Sequence, residues 1–193
     1  MAGPHPRFPA RPGQAGGNPC WQRQWRDDAQ SAVGRRMTAP AHLPLDGLYQ
    51  LGFTTRDLER AQQLLGERYG ISRWRVRQPN PRMRTAHAYA GESMIELIEP
   101  SPEGDRLYLD HMPQGDGVAR LHHLGRRIAD AQAWERLEQG IAALGLAVPM
   151  GGSVMEGDLH YAYVDTRADL GIYSEYVWLQ GKALSLYDDI PRD

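Results

Sequence analysis

The alternation of hydrophobic and polar positions divides residues 45–180 into two segments with the same order of elements. Each segment opens with a strand-like stretch, continues with an amphipathic helix, and closes with three further strand-like stretches. The first helix is predicted from about Asp57, a residue type that caps helices, to Gly70, and the second from about Asp130 to Gly145. The pattern predicts two βαβββ modules, which is a duplicated α+β fold.

Outside the two helices, the same alternation predicts eight strands. They are placed at 47–55, 72–77, 85–90 and 94–99 in the first module, and at 120–128, 146–150, 159–164 and 172–179 in the second. The first module is therefore predicted at 45–100 and the second at 119–180. Residues 101–118 contain Pro, Gly and Asp and predict a surface linker, and residues 181–193 predict a short C-terminal tail.

The N-terminal part of the chain lacks this periodicity. Residues 1–44 are rich in Pro, Gly, Gln and Arg, and such a segment buries too little apolar surface to offset the entropy of ordering. A disordered tail is predicted there. Met37 is a candidate start of translation, and in that case residues 1–36 do not belong to the native protein.

Composition narrows the classes of function. A net charge of −2 and an isoelectric point near 6.4 do not favour nucleic acid or an anionic membrane as a partner. No stretch is apolar enough for a membrane span. Cys20 is the sole cysteine, so an intrachain disulfide is excluded and a cytoplasmic location is predicted.

Two short motifs open the modules in nearly the same way, YQLG at 49–52 and HHLG at 122–125. Each module also closes on a strand that carries one acid among apolar residues. In the first of these closing strands, alternation places Ile95 and Leu97 on the helix side and the acid on the other face. A divalent cation would offset the cost of burying two such carboxylates. The matched polar positions are Gln50, Glu96, His123 and Glu175.

The residues resemble the vicinal oxygen chelate superfamily, which includes glyoxalase I, methylmalonyl-CoA epimerase, extradiol dioxygenases and bleomycin-resistance proteins. The closest strings are LHHLG at 121–125, YVDTR at 163–167 and IYSEY at 172–176. The resemblance implies two modules whose curled mixed sheets form a cleft, with metal ligands from the first and last strands of each module. Carried over by position, these ligands are Gln50, Glu96, His123 and Glu175. One imidazole with three oxygen donors suits Zn, Ni, Co, Mn or Mg.

The leading hypothesis that follows is a metal-dependent lyase, isomerase or epimerase acting on a small substrate with two adjacent oxygens through an enolate. Glu175 or Glu96 is the candidate base, and His87, at a position that carries an acid/base carboxylate in the epimerase, is a candidate partner acid. Predicted substrate-binding residues are Arg127, Tyr89, Tyr161 and Tyr163. A homodimer is predicted as well.

Other interpretations stay open at this point. A binding or sequestering protein of the bleomycin-resistance type would use the same cleft without chemistry. An extradiol-type dioxygenase is disfavoured, because its ferrous site takes two His and one carboxylate, whereas the first module opens with Gln50. Without a metal, Gln50 would hydrogen-bond across the cleft and His123 would be a core histidine. His122 points to the opposite face of a regular strand and is predicted to be structural.

Overall fold

The computed structural model of the protein describes residues 41–192, and within them all eight predicted strands form one mixed sheet. Their order across the sheet is β2-β3-β4-β1-β5-β8-β7-β6. The sheet is strongly curled into a half-barrel, which confirms the predicted α+β fold. The strands are β1 (Leu48–Thr55), β2 (Arg75–Asn80), β3 (Met83–Ala90), β4 (Ser93–Pro100), β5 (Ala119–Ile128), β6 (Met150–Val154), β7 (Leu159–Val164) and β8 (Tyr173–Leu179).

Two long helices occupy the predicted places, and each is bounded by the predicted residues. Asp57 and Asp130 accept hydrogen bonds from backbone amides of the first turns, and Gly70 and Gly145 end the helices in the left-handed conformation. The helices are α1 (Leu58–Tyr69), α2 (Arg106–Leu109), α3 (Ala131–Leu144) and α4 (Arg167–Leu170), with 3₁₀ turns at Met155–Gly157 and Gly181–Ser185. None of the helices in the described part of the chain has the length and apolarity to cross a membrane.

The two modules join at the middle of the sheet. β1 pairs with β5 in an antiparallel ladder. Each of them also pairs in parallel with the last strand of its own module, β1 with β4 and β5 with β8. The first and last strands of both modules are therefore the four central strands. This topology brings the matched polar positions of the two repeats to one place.

Two β-bulges interrupt the ladder between β1 and β5 at equivalent places. Leu48 is paired with Arg126 and Gln50 with Gly125, so Tyr49 has no partner across the ladder. Further along, Gly52 and Phe53 are paired with His123 and Leu121, which leaves His122 without a partner. A β-bulge interrupts the alternation of side chains between the two faces of a strand. The side chains of Tyr49 and His122 are therefore turned out of the direction that a regular strand would give them.

The hydrophobic core lies on the helix side of the sheet, with a second cluster on the cleft side. Leu97 packs with Leu58 of α1, as the alternation predicts, and Ile95 lies in a neighbouring cluster on the same side. In the second module, Leu137 and Ile141 of α3 pack against β7 and β8. The outcome is a sheet with one face covered by helices and the other free to form a cleft.

The sequence predicts a surface linker between the modules, but the structure shows a packed segment there. Residues 106–109 form the short helix α2, and Leu107, Tyr108 and His111 are buried against the cleft side of the sheet. Leu107 and Tyr108 belong to one cluster with Ile98 and Tyr173. The polar composition of the segment reflects its turns and caps, while its apolar residues cover the sheet.

The end of the predicted N-terminal tail packs against the folded modules. Most of the predicted N-terminal tail, with the candidate start at Met37, lies outside the described residues. Within them, Leu43 packs on the second module, the Pro44 carbonyl accepts a hydrogen bond from Tyr176 at 3.1 Å, and Leu45 accepts one from Arg126 at 3.2 Å. The chain is therefore packed against the sheet before β1 begins.

Two strands begin later than predicted. β2 begins at Arg75 rather than at 72, and β6 begins at Met150 rather than at 146. The cause in the second case is visible, because Leu146 and Val148 pack on the helix-side core without joining the ladder. Burial alone therefore produced the apolar pattern that predicted a strand there.

Candidate active site

The four predicted donors converge on the cleft side of the central strands. The Gln50 amide nitrogen, Nε2, donates to Oε2 of Glu96 at 2.6 Å. Nε2 of His123 lies 3.4 Å from Oε2 of Glu96 and 3.4 Å from Oε2 of Glu175. All four side chains are largely buried, and His123 is fully enclosed. The duplicated motifs thus produce one polar cluster.

Glu96 is the most heavily engaged member of this cluster. Besides Gln50 on one oxygen, it has His87 Nε2 at 3.1 Å from its other oxygen, Oε1. Burial raises the pKa of Glu96, but the imidazoles of His123 and His87 beside its two oxygens outweigh burial and hold the pKa far below its usual range. Glu96 is therefore a carboxylate with both oxygens occupied.

Within residues 41–192, His123 and Glu175 each retain an atom without a hydrogen-bond partner. Nε2 of His123 and Oε2 of Glu175 are both buried, and their 3.4 Å approach is an ionic contact without hydrogen-bond geometry. Burial lowers the pKa of His123, but the negative charges of Glu175 and Glu96 outweigh burial and raise it to about 9. Buried polar atoms in folded proteins are normally satisfied, so this pair indicates a missing partner.

Two glycines make room for the donors. Gly52 is paired with His123, and a Cβ at Gly52 would lie 1.9 Å from an atom of the imidazole. Gly125 is paired with both Gln50 and Glu175, and a Cβ there would lie 2.9 Å from the Gln50 side chain and 3.1 Å from Oε2 of Glu175. The last residue of each opening motif is therefore glycine because the side chain of the neighbouring strand occupies its space.

His122 does not point away from the site as predicted. Its Nδ1 lies 3.0 Å from Nδ1 of His123, and its Nε2 lies 3.1 Å from the carbonyl oxygen of Leu107. The bulge at His122 is the reason, since it removes the alternation on which the prediction depended. Burial is the main factor that lowers the pKa of His122, to about 3.

A cavity of about 930 Å³ opens above the cluster. His87, Glu96 and Glu175 are part of its wall, together with several aromatic side chains. The other charged residues of the wall are Asp105 and four arginines, Arg75, Arg77, Arg82 and Arg106. A cavity of this size accommodates a small organic molecule.

Among the predicted substrate-binding residues, two line the cavity and two do not. Tyr161 and Tyr163 form part of its wall. Tyr89 packs under the guanidinium group of Arg192, 3.7 Å from the ring centroid, and is not part of the wall. Arg127 is not part of the wall either. Contact of Arg127 or Tyr89 with a substrate stays a prediction.

Arg127 instead lies between two aromatic rings. Its guanidinium carbon is 4.2 Å from the ring centroid of Tyr49 and 4.6 Å from that of Tyr187. Tyr49 reaches this place through the other bulge of the ladder. Tyr187 lines the cavity, so Arg127 holds one side of the wall in position through a cation–π contact.

The C-terminal segment, residues 181–192, contributes the wall that sequence reasoning missed. Leu186 and Tyr187 line the cavity, and Arg75 donates to the Leu186 carbonyl at 2.8 Å. Arg77 forms an ion pair with Asp189 at 2.8 Å, and the Ile190 side chain is buried. The apolar residues in the predicted tail were the available signal, because a solvated tail has no need of them.

The residues present fit a divalent cation. As the side chains of residues 41–192 stand, no group of three or more His, Cys, Asp or Glu is arranged so that it could hold a metal ion. The 3.4 Å separations of His123 Nε2 from the two carboxylate oxygens nevertheless match donors that share an ion at about 2.1 Å in tetrahedral geometry. The two unpartnered atoms, His123 Nε2 and Glu175 Oε2, belong to this set. Gln50 would contribute Oε1 after rotation of its amide group.

Solved structures with the same fold include methylmalonyl-CoA epimerases. The enzyme from Mycobacterium tuberculosis has a TM-score of 0.54 at 16% identity, over 77% of this chain and 97% of that one. A variant of the Streptomyces coelicolor enzyme in complex with 2-nitronate-propionyl-CoA has a TM-score of 0.52 at 18% identity, over 72% and 100%. A hypothetical protein from Bacillus halodurans C-125 has a TM-score of 0.51 at 19% identity, over 70% and 96%. These similarities establish the fold.

Sequence comparison identifies the family. No curated protein matches the chain. The family model described as glyoxalase/bleomycin resistance protein/dioxygenase superfamily matches residues 49–154, which is more than half of the 193 residues and contains three of the four donors. The opening motifs, the doubled βαβββ order and this match agree, and the chain belongs to the glyoxalase/bleomycin resistance protein/dioxygenase superfamily.

Proposed function

We propose that the protein is a metal-dependent isomerase, epimerase or lyase that acts on a small substrate with two adjacent oxygens through an enolate. The observation that carries the proposal is the buried pair of atoms without a hydrogen-bond partner in residues 41–192, His123 Nε2 and Glu175 Oε2, of which Glu175 lines the cavity. Epimerases with the same fold support this reaction class, although the identity to them is low.

The residues that would hold the cation are Gln50, Glu96, His123 and Glu175. When bound there, a divalent cation acts as a Lewis acid toward both substrate oxygens and makes the hydrogen on the neighbouring carbon more acidic. The set contains one imidazole and three oxygen donors and has no thiolate, so Zn, Ni, Co, Mn and Mg are the candidate ions.

Glu175 is better placed than Glu96 to take the proton. Oε1 of Glu96 would keep His87 as a partner, whereas Oε2 of Glu175 has no hydrogen-bond partner among residues 41–192, so Glu175 is the carboxylate that would leave the cation to act as base. The Glu175 carboxylate accepts the proton from carbon, and the electron pair of the C–H bond moves into the enolate. Return of a proton to the same carbon from the other side gives an epimer, and return to a different atom gives an isomer. His87, which lines the cavity, is the candidate donor for that return.

The four arginines of the cavity wall favour an anionic substrate. Arg82 has no side-chain partner among residues 41–192 and lines the cavity. Arg77 and Arg106 are paired with acids but remain substantially exposed. Guanidinium groups bind carboxylates and phosphates in a bidentate manner. A substrate with a carboxylate or phosphate group would therefore be oriented by these arginines. Coenzyme A esters, which are bound in two solved structures of methylmalonyl-CoA epimerases with this fold, contain such anionic groups.

A binding or sequestering protein is the second candidate function, and one contact favours it. Gln50 presents its amide nitrogen to Glu96, so part of the cluster satisfies itself without a cation. Such a protein would use the cavity and its arginines but would not need the unpartnered pair. Metal content therefore discriminates between the two functions.

The first experiment measures metal directly. Protein purified without chelator or affinity metal is analysed for bound elements and then titrated with Zn²⁺, Ni²⁺, Co²⁺, Mn²⁺ and Mg²⁺ by calorimetry. The proposal expects one divalent ion per chain. No bound ion and no binding by any of these would refute the metal-dependent function and favour the binding protein.

The second experiment follows the chemistry without a known substrate. Thioesters of malonate type and α-hydroxy carbonyl compounds are incubated with the metal-loaded protein in D₂O, and exchange of the carbon-bound hydrogen is measured by NMR. Glu175→Gln should abolish exchange. The matched control is Glu92→Gln, because Glu92 lies exposed at the turn between β3 and β4. Equal exchange by wild type and Glu175→Gln would remove Glu175 from the mechanism.

A further inference from the structure

We infer that His122 is a positioning residue for His123: it accepts a hydrogen bond from Nδ1–H of His123 and thereby aims Nε2 of His123 at the two carboxylates. The inference rests on the proposed function insofar as His123 is a metal ligand. Its physical basis is a chain of hydrogen bonds that begins outside the cavity, at the segment between the modules.

The direction of this chain follows from chemistry. The carbonyl of Leu107 can only accept, so the hydrogen between it and His122, over 3.1 Å, belongs to Nε2 of His122. In the neutral ring, Nδ1 of His122 then has no hydrogen and is an acceptor. The 3.0 Å contact with His123 therefore has Nδ1–H of His123 as its donor.

The consequence for His123 is an assigned orientation. With its Nδ1–H directed to His122, its Nε2 is directed to Glu96 and Glu175, at 3.4 Å from each. Histidines that bind metals commonly donate their second N–H to a carbonyl or carboxylate, which fixes the ring. Here another histidine takes that place, since the bulge brings two consecutive imidazoles to the same side of the strand.

The packing around His122 keeps it from rotating. Its ring lies 4.9 Å from the ring of Tyr173 and 5.1 Å from that of Tyr108, and it is fully buried. Leu107 is fixed in turn, because its amide donates to the side chain of Asp105 at 2.8 Å, the cap of α2. The segment between the modules thus has a role in the orientation of a residue on β5.

Three variants separate this role from simple packing. His122→Phe keeps the ring volume but removes the acceptor, whereas His122→Asn keeps an acceptor near the position of Nδ1. His111→Phe is the matched control, because His111 is buried in the same aromatic group, 5.4 Å from the His122 ring, and its side chain is hydrogen-bonded to the Leu121 carbonyl rather than to His123. Each variant is checked for folding by circular dichroism and a urea titration.

The first readout needs no metal. In ¹⁵N-histidine-labelled, metal-free wild type, a scalar coupling between Nδ1 of His122 and Nδ1 of His123 is expected across their hydrogen bond. Absence of this coupling, or a ring hydrogen of His123 found on Nε2 alone, would overturn the inference. This result is independent of whether the wild type binds any ion, so failure of the proposed function is seen separately, as absence of binding by the wild type.

The second readout is affinity for Zn²⁺ or Ni²⁺ by calorimetry. His122→Phe should lower affinity by about 10- to 100-fold, the range typical of lost partners behind a ligand. His122→Asn should recover most of that loss, and His111→Phe should remain within about threefold of wild type, well below the range for a lost partner. Equal affinities for wild type and a folded His122→Phe, or equal losses in His122→Phe and His111→Phe, would contradict the positioning role.

Discussion

Replacement of Gly52 by alanine tests the packing on which the whole site depends. The added Cβ would lie 1.9 Å from Cε1 of His123, 2.3 Å from Nε2 and 2.4 Å from Nδ1. Non-bonded carbon atoms pack at about 3.5 to 4.0 Å, so the ring must move by more than 1 Å. Its room to move is small, because His123 is fully buried and its Nδ1 is bonded to His122.

The expected loss has two parts. Overpacking of this kind destabilises a protein by about 1–3 kcal/mol, which a urea titration resolves as a lower midpoint. Displacement of Nε2 should also weaken Zn²⁺ or Ni²⁺ binding by at least about tenfold, which corresponds to about 1.4 kcal/mol. Calorimetry on the folded variant measures the second effect independently of the first.

Gly152→Ala is the matched control for this change. Gly152 is also a strand glycine, on β6, but the atoms nearest to its added Cβ are 3.9 Å away, on Tyr161. Its substitution should change the free energy of unfolding by less than about 1 kcal/mol, through unfolded-state entropy alone. If Gly52→Ala unfolded at the wild-type urea concentration and bound the ion equally well, the crowding argument would be refuted.

Three further predictions concern stability and local opening. In metal-free protein, the free energy of unfolding should be greatest near pH 6.5. It should fall as the pH rises from 6.5 toward the raised pKa of His123, about 9, because the charge of His123 is then lost. It should also fall as the pH decreases from 6.5 toward the lowered pKa of His122, about 3, because the buried His122 must then take up a proton. Urea midpoints that rise steadily from pH 6.5 to 9 would contradict this. Removal of residues 186–193 should speed hydrogen exchange at the Tyr89 amide, which donates to Pro191 at 2.8 Å, but not at the centre of β3. Leu137→Ala, at a fully buried position of α3, should cost about 2–5 kcal/mol in a urea titration, and a smaller loss would show that α3 packs less tightly than described.

The elements that depend on local signals were predictable from sequence. Asp57 and Gly70 mark the ends of α1 because a cap and a left-handed glycine act within one turn of the helix. The central donors were predictable for a similar reason, since the duplication repeats a short motif whose polar second residue stands out among apolar neighbours. The family resemblance then gave these positions a common centre, and the fold class and family are confirmed.

The predictions that were wrong concern features that depend on contacts between distant segments of the chain. His122 was assigned to the wrong face because the bulge arises from the pairing of β1 with β5, which no local pattern shows. Leu107 and Tyr108 were placed on the surface because the polar residues around them form turns and a cap. A homodimer and a cytoplasmic location stay predictions.

The C-terminal segment has a practical consequence for work with this protein. Arg192 forms an isolated bridge with Tyr89, and the segment that leads to it places Leu186 and Tyr187 against the cavity. A fusion partner attached after Asp193 would therefore follow the paired residue Arg192 closely and would disturb the cavity wall. A polyhistidine sequence attached there would in addition compete for the cations under test. Recombinant protein for metal and exchange measurements should therefore have a removable N-terminal tag and no tag after Asp193.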